Sequence, residues 1–138
     1  PKSIICALNR KKIELHGGGK SIRSFIYITD VADATYKIAL KSIPGNIYHI
    51  SSNNLISIKN LVKKIFNFNN LNYNKFVKIV AERPGKDKYY TLNSSKLKKE
   101  HKWKPKVSLN EGLLKTQKWI SENQRKINKL PLFYEHKR

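Results

Sequence analysis

A chain of 138 residues fits one domain and buries roughly two-thirds of the surface its unfolded form exposes, enough for a core of its own. A single cysteine, Cys6, excludes an internal disulfide framework and suits a reducing, cytoplasmic setting, and no apolar run approaches the roughly 20 residues of a bilayer-spanning helix. The formal charge of +20 invites a polyanion, yet five arginines leave 24 lysines among the 29 basic residues, spread from Lys2 to Lys137 with no lysine run longer than two. Asn and Ile are abundant beside Lys, as AT-rich coding produces, so the charge by itself is weak support for nucleic-acid binding. With no Met and Pro1-Lys2 at its start, the chain is expected to be processed or to belong to something longer.

In chain order, Ile4, Ile5 and Leu8 have helical spacing and residues 11–16 alternate as a short strand. Gly17, Gly18 and Gly19 form a turn, because glycine alone takes positive φ without cost. The apolar run 25–28 predicts a buried strand, with Arg23 where the strand leaves the turn. Thr29 or Asp30 then caps a helix to about Lys41, whose apolar positions are Val31, Ala34, Thr35, Ile38 and Ala39. Residues 43–45, Ile-Pro-Gly, stop it, and 46–50 predict another strand.

Ser57 is placed to cap the clearest helix, in which Ile58, Leu61, Val62, Ile65 and Phe66 share one face opposite Lys59, Asn60, Lys63 and Lys64. The Asn-rich stretch 67–74 reads as a surface connection and 76–80 as a strand, followed by a turn at Arg83, Pro84 and Gly85. A short helix over 95–100 comes next, Pro105 breaks the chain, and Ser108 with Glu111 has capping-box spacing for a last helix to about Asn123. Helices feeding strands in this order belong to a layered α/β fold.

Arg23 and Arg83 are the leading candidates for chemistry. Each lies at a turn, and a guanidinium presents a planar fork of donors to diphosphate oxygens that lysine cannot copy. The plainer reading makes them surface ion pairs, Arg23 with Asp30 and Arg83 with Asp87. The glycine turn is no dinucleotide fingerprint, since a strand rather than a helix follows it and the GxGxxG spacing is absent. Tyr27, Tyr48, Tyr89 and Tyr90 are followed four residues on by Val31, Ser52, Asn93 and Ser94, so none belongs to a YxxxK pair. Tyr27, Tyr48 and Tyr90 are assigned to core or pocket wall, Trp103 and Trp119 to packing, His16 to a solvated or locally bonded histidine rather than a catalytic one, and Asp30 to a helix cap. No group of His, Cys and carboxylates has metal-ligand spacing.

The glycine turn, Ile22-Arg23, Phe25, Ile26-Tyr27-Ile28 and Asp30, and then Glu82-Arg83-Pro84-Gly85-Lys86-Asp87, Tyr90, residues 92–97, Trp103-Lys104-Pro105 and Glu111-Gly112-Leu113 with Thr116 and Trp119, form two ordered blocks. Together they resemble the C-terminal half of the extended short-chain dehydrogenase/reductase family, the NAD-dependent sugar-nucleotide epimerases and dehydratases, and within it the dTDP-glucose 4,6-dehydratase subfamily. The resemblance runs from Pro1 to about Asn123, and the tail around Pro131, Leu132 and Tyr134 is similar to some members.

The resemblance implies an α/β, Rossmann-type enzyme of which residues 1–125 form the substrate-binding portion and 126–138 a tail. It implies that Arg23 and Arg83 contact the nucleotide diphosphate or its ribose, and that the backbone of Glu14, Leu15 and His16 contacts the base. Glu82, Pro84, Gly85 and Lys86 stand in the nucleotide-contacting loop, with Lys86 where a histidine is common, and Tyr90 touches the nucleotide. Glu14 and His16 replace the common Pro and Tyr, and Ser57-Ile58 stands where the dehydratases place an Asn. NAD belongs to the complete family enzyme and is bound mainly by parts absent from these residues. The family is usually homodimeric.

The glycine-rich cofactor loop and YxxxK are both absent, so this stretch contributes no catalytic residue. It is expected to bind a nucleotide-diphosphate sugar weakly and to catalyse nothing alone. The alternatives are a stand-alone basic module for nucleic acid or another polyanion, and an inactive remnant.

Overall fold

The computed structural model describes residues 1–131. Helix α1 (Lys2–Leu8) leads to strand β1 (Ile13–His16), and a 3-10 turn, Gly17–Gly19, delivers the chain to β2 (Ile22–Ser24). Helix α2 (Ile28–Lys41), strand β3 (Leu55–Ser57), helix α3 (Ile58–Phe68) and the short α4 (Tyr73–Phe76) follow. Strands β4 (Val77–Val80) and β5 (Tyr89–Tyr90) precede α5 (Ser95–His101), α6 (Leu109–Glu122) and α7 (Gln124–Ile127).

Two small sheets carry the strands. β1 and β4 run parallel, with Ile13 opposite Val77 and His16 opposite Val80. β2 is central in the other sheet, antiparallel to β3 and parallel to β5, so that Arg23 has Ile56 on one side and Tyr90 on the other.

The apolar face of α3 organises the main core. Leu61, Val62, Ile65 and Phe66 are buried against Ile4, Cys6 and Ala7 of α1, Ile13 and Leu15 of β1, and Ile120 and Ile127. Ser57 caps this helix as its sequence predicts, its hydroxyl accepting the Asn60 amide at 3.2 Å. Ser108 does the same for α6 through the Glu111 amide at 3.2 Å. Burial pushes the Cys6 thiol above its ordinary value, against the opposing pull of Lys2 and Lys11, so this cysteine is an inert core residue. A smaller cluster joins Ala34, Leu97 and Trp103, with Ile26, Ile38, Tyr48 and Ile50 around it.

Several expectations are corrected. Residues 25–28 are not a strand. The ladder ends at Ser24, because the Ser52 hydroxyl donates to the Phe25 carbonyl at 2.9 Å and the Ser24 hydroxyl donates to the Ser52 carbonyl at 2.8 Å, so side chains take up the backbone bonding. Arg23 therefore lies within a strand. The N-cap of α2 is Tyr27, without a side-chain cap bond, and Asp30 sits inside the first turn. Asp30 is 4% exposed, and its carboxylate accepts the amides of Lys106 at 3.1 Å and Val107 at 3.0 Å, strapping the segment after Pro105 to α2.

Residues 46–50 form no strand either. No neighbour among the described residues supplies an edge, and Ile47 is 76% exposed. The Asn-rich stretch is partly helical, with Asn72 capping α4. Trp103 is buried as expected, but Trp119 is 59% exposed on the outer face of α6. Ile127 packs in the main core, beyond residue 125. The expectations for Leu132 and Tyr134, and for residues 132–138 of the tail, lie outside the described residues. Among the described residues no helix is long and apolar enough to cross a membrane.

Replacing Trp103 by Ala is expected to cost roughly 3–5 kcal/mol, a large buried ring lost with its cavity left behind. Asp30→Ala should cost roughly 1.5–3 kcal/mol because two amides lose a charged acceptor. Trp119→Ala should stay within about 0.5 kcal/mol. Urea unfolding of the three variants checks the order, and equal losses at the two tryptophans would contradict this packing.

Candidate functional site

The glycine turn places the candidate residues. Gly17, Gly18 and Gly19 have φ of 56°, 64° and 67°, the left-handed region that costs other residues about 1–2 kcal/mol each. Gly19 is also crowded, since a Cβ there would stand 2.7 Å from the Lys59 amide nitrogen and 2.9 Å from Leu15. The turn thus packs against the first turn of α3 while reversing the chain between β1 and β2.

At the end of β1, the His16 ring is hydrogen-bonded through Nδ1 to the Ala81 carbonyl at 3.1 Å. A carbonyl only accepts, so Nδ1 carries the proton. Of the two readings of His16, solvated or locally bonded, the structure shows the bonded one, and the bond ties β1 to the loop that follows β4. In that loop Glu82 Oε1 accepts both the Arg83 amide and the Lys86 ammonium, each at 3.1 Å. The Lys86 bond holds the Glu82 carboxyl below its ordinary range, assisted by the Arg83 amide and the Lys86 and His16 charges, while burial pushes the other way.

These elements enclose a recess of about 470 Å³, within the range of small-ligand sites. Glu14, Leu15, His16, Arg83, Pro84 and Lys86 line it, and Lys2, Ser3, Ile13, Ile58 and Val62 complete the wall. Glu82 is not among the lining residues, nor is Gly85, which sits at the turn with open space around it. Glu14 makes an exposed ion pair with Lys78 at 3.6 Å across the β1–β4 ladder.

Arg23 is fixed from a different sheet. Its Nη1 donates to the Ile22 carbonyl at 2.7 Å and its Nη2 to the Asp87 carbonyl at 2.8 Å, and its guanidinium carbon lies 6.0 Å from the centre of the Tyr90 ring. Two of its five N–H donors are so used, and among the described residues three remain unengaged. Arg23, Ser24, Ser51 and Tyr90 line a smaller recess of about 90 Å³, and Tyr90 is 57% exposed, a pocket wall rather than core. The Asp87 bond joins this recess to the Arg83–Lys86 loop. Neither plain ion pair forms: Asp30 is occupied by backbone amides, and among the described residues Arg83 makes no ion pair with Asp87.

Acid–base chemistry has little support. The Tyr48 hydroxyl donates to Glu100 at 2.6 Å, which raises its pKa, the wrong direction for a base. Lys115 lies over the Tyr27 ring, 5.7 Å from its centre, and is bound to Glu111 at 2.7 Å. Among the described residues no group of three or more His, Cys, Asp or Glu could hold a metal.

Sequence reasoning missed the apolar floor of the larger recess. Ile58 and Val62 signal a core helix by periodicity, and nothing in that signal says that the top of the helix also borders a cavity. It also missed β5, whose two residues are too short for any pattern, and a third, largely apolar recess of about 390 Å³ among Ile4, Phe25, Tyr27, Leu109 and Leu113.

The sequence profile described as GDP-mannose 4,6 dehydratase matches residues 2–116. A dTDP-D-glucose 4,6-dehydratase from Homo sapiens is 34% identical over 128 residues, which cover 89% of this chain and 36% of that protein. A crystal structure of dTDP-glucose 4,6-dehydratase from Bacillus anthracis in complex with NAD superposes with a TM-score of 0.83 at 30% identity, over 91% of this chain and 39% of that one. The corresponding Streptomyces venezuelae enzyme, with NAD and TYD bound, gives a TM-score of 0.85 at 26% identity, over 91% of this chain and 38% of that one. The chain thus spans little more than a third of the length of these three proteins.

Because Glu82 is held ionised mainly by Lys86, its side chain should titrate below the ordinary glutamate value of 4.5. A depressed carboxyl pKa contributes stability that is present above the ordinary value and is lost as pH falls through the depressed one. Carbon-13 NMR titration of Glu82 should show this shift, and Lys86→Met should remove most of it. An unshifted Glu82 in the unmodified chain would contradict the geometry.

Proposed function

The chain belongs to the GDP-mannose 4,6 dehydratase family, within the extended short-chain dehydrogenase/reductases, and from that membership we propose that it is the sugar-nucleotide-binding portion of a 4,6-dehydratase or epimerase. The observation that carries this reading is the bond from Arg23 Nη2 to the Asp87 carbonyl, which joins one arginine to the loop bearing the other beside a recess of ligand size. In this reading Arg23, Arg83 and Lys86 bind the diphosphate, Glu14, Leu15 and His16 present backbone groups to the base, and Tyr90 borders the ribose. Pro84 and Gly85 shape the loop. Three cations against a diphosphate give charge-assisted hydrogen bonds, the strong class of such contacts.

NAD enters only with the complete family enzyme, where it accepts and returns a hydride. The described residues offer it no cradle: the glycine turn feeds β2, and no strand–glycine loop–helix unit is present among them. No step through the cofactor is assigned to them, and no residue among them is assigned to catalysis.

Titration with dTDP and UDP, followed by amide and arginine side-chain NMR signals, tests the proposal. Shifts should concentrate at residues 14–16, 23 and 82–90. Arg23→Ala and Arg83→Ala should each weaken binding by roughly 1.5–3 kcal/mol, about tenfold or more. Unchanged affinity in both variants would overturn the site. The charge of +20 is the one observation favouring a nucleic-acid module instead. Retention on duplex DNA at about 0.15 M salt, with no response to either nucleotide, would support that reading.

A further inference from the structure

Glu82 poses a problem for an anion site. The chain has only nine acidic residues, and one of them is bonded to both Arg83 and Lys86, two of the residues that line the recess. A bystander carboxylate there repels a diphosphate. The structure shows what it does instead: its Oε1 gathers the Arg83 amide and the Lys86 ammonium, each at 3.1 Å, while the rest of the carboxylate rests on the backbone of Gly17. Any Cβ at residue 17 would overlap that carboxylate and displace it from its seat, and the φ of 56° favours glycine there in its own right.

We infer that Glu82, seated on Gly17, is a positioning residue that holds the Lys86 ammonium and the Arg83 turn ready for a diphosphate. Lysine has a flexible four-carbon stem with substantial rotamer freedom, and a ligand that must immobilise it loses affinity in doing so. Fixing the ammonium beforehand removes that cost, which is preorganisation. Glu82 acts through the Lys86 ammonium and the Arg83 amide, both of residues that line the recess, while Glu82 itself is not among the lining residues. The same contact explains why a lysine serves at position 86: a point charge needs an external holder to acquire a direction, and Glu82 supplies one. This inference rests on the nucleotide-binding reading.

The test separates positioning from simple charge, because the two have opposite signs. Glu82→Ala makes the chain more positive by one, so unassisted electrostatics tightens nucleotide binding. Positioning predicts that Glu82→Ala weakens dTDP and UDP binding roughly two- to fivefold, the scale of a partly exposed ion pair. Glu82→Gln keeps an oxygen for the Arg83 amide and for Lys86, and should retain affinity close to that of the unmodified chain. Gly17→Ala, which removes the seat, should reproduce the loss. Equal or tighter binding in Glu82→Ala overturns the inference.

Carbon-13 relaxation of the Lys86 side chain, recorded without nucleotide, reads the latch itself. Lys86 should be more ordered than other exposed lysines in the unmodified chain and should become mobile in Glu82→Ala. A Lys86 equally mobile in both overturns the latch whether or not nucleotide binds. An ordered Lys86 in a chain that ignores dTDP and UDP at millimolar concentration overturns the nucleotide reading, and with it the purpose assigned to the latch.

Discussion

Three consecutive residues at positive φ hold this structure together. Gly17, Gly18 and Gly19 let β1, which belongs to one sheet, hand the chain to β2, which belongs to the other. Any other residue type would meet the left-handed backbone penalty at each position. Two of the three also serve as contact surfaces. Gly19 admits the Lys59 amide at the start of α3, and Gly17 admits the Glu82 carboxylate. The main core, the second sheet and the candidate loop therefore converge on one turn.

Acidic groups are scarce in a chain of charge +20, and their positions show where a fixed negative charge matters. Asp30 receives two backbone amides from the segment after Pro105 and so fastens the approach to α6 onto α2. Glu100 receives the Tyr48 hydroxyl, and the neighbouring His101 bonds Ser42 at 2.8 Å, which ties α5 to the end of α2. Glu82 organises the loop beside the larger recess. Each of these carboxylates does more than balance charge. Exposed pairs such as Lys118 with Glu122, 3.9 Å apart, contribute little by comparison.

Helices were far more legible than strands. Ile58, Leu61, Val62, Ile65 and Phe66 repeat over three turns, so their periodicity states the buried face of α3 without ambiguity, and Ser57 marks its start. Strands here are two to four residues long and gain their identity from neighbours. The run 25–28 has the composition of a strand, yet serine side chains end the ladder before it. Residues 46–50 alternate suitably and find no edge among the described residues. Asp30 was read as a helix cap because caps are local, whereas its two partners lie 76 and 77 positions away.

The sequence by itself determined the helix faces, the two serine caps, the turn glycines, the absence of a dinucleotide loop and of a YxxxK pair, and the family through two ordered blocks of motif. All of these depend on neighbours a few residues apart or on residue identity alone. Only the tertiary structure decided which candidates share a recess. It put Glu14, His16, Arg83 and Lys86 around one cavity, Arg23 and Tyr90 around another, and bonded Glu82 to the Arg83 amide and the Lys86 ammonium of the first. Those groupings arise from pairing between β1 and β4, separated by some sixty positions, and from Arg23 reaching the Asp87 carbonyl across a similar gap. Contacts at that separation leave no periodic mark in a single sequence, because each depends on the path of the whole chain between its two ends.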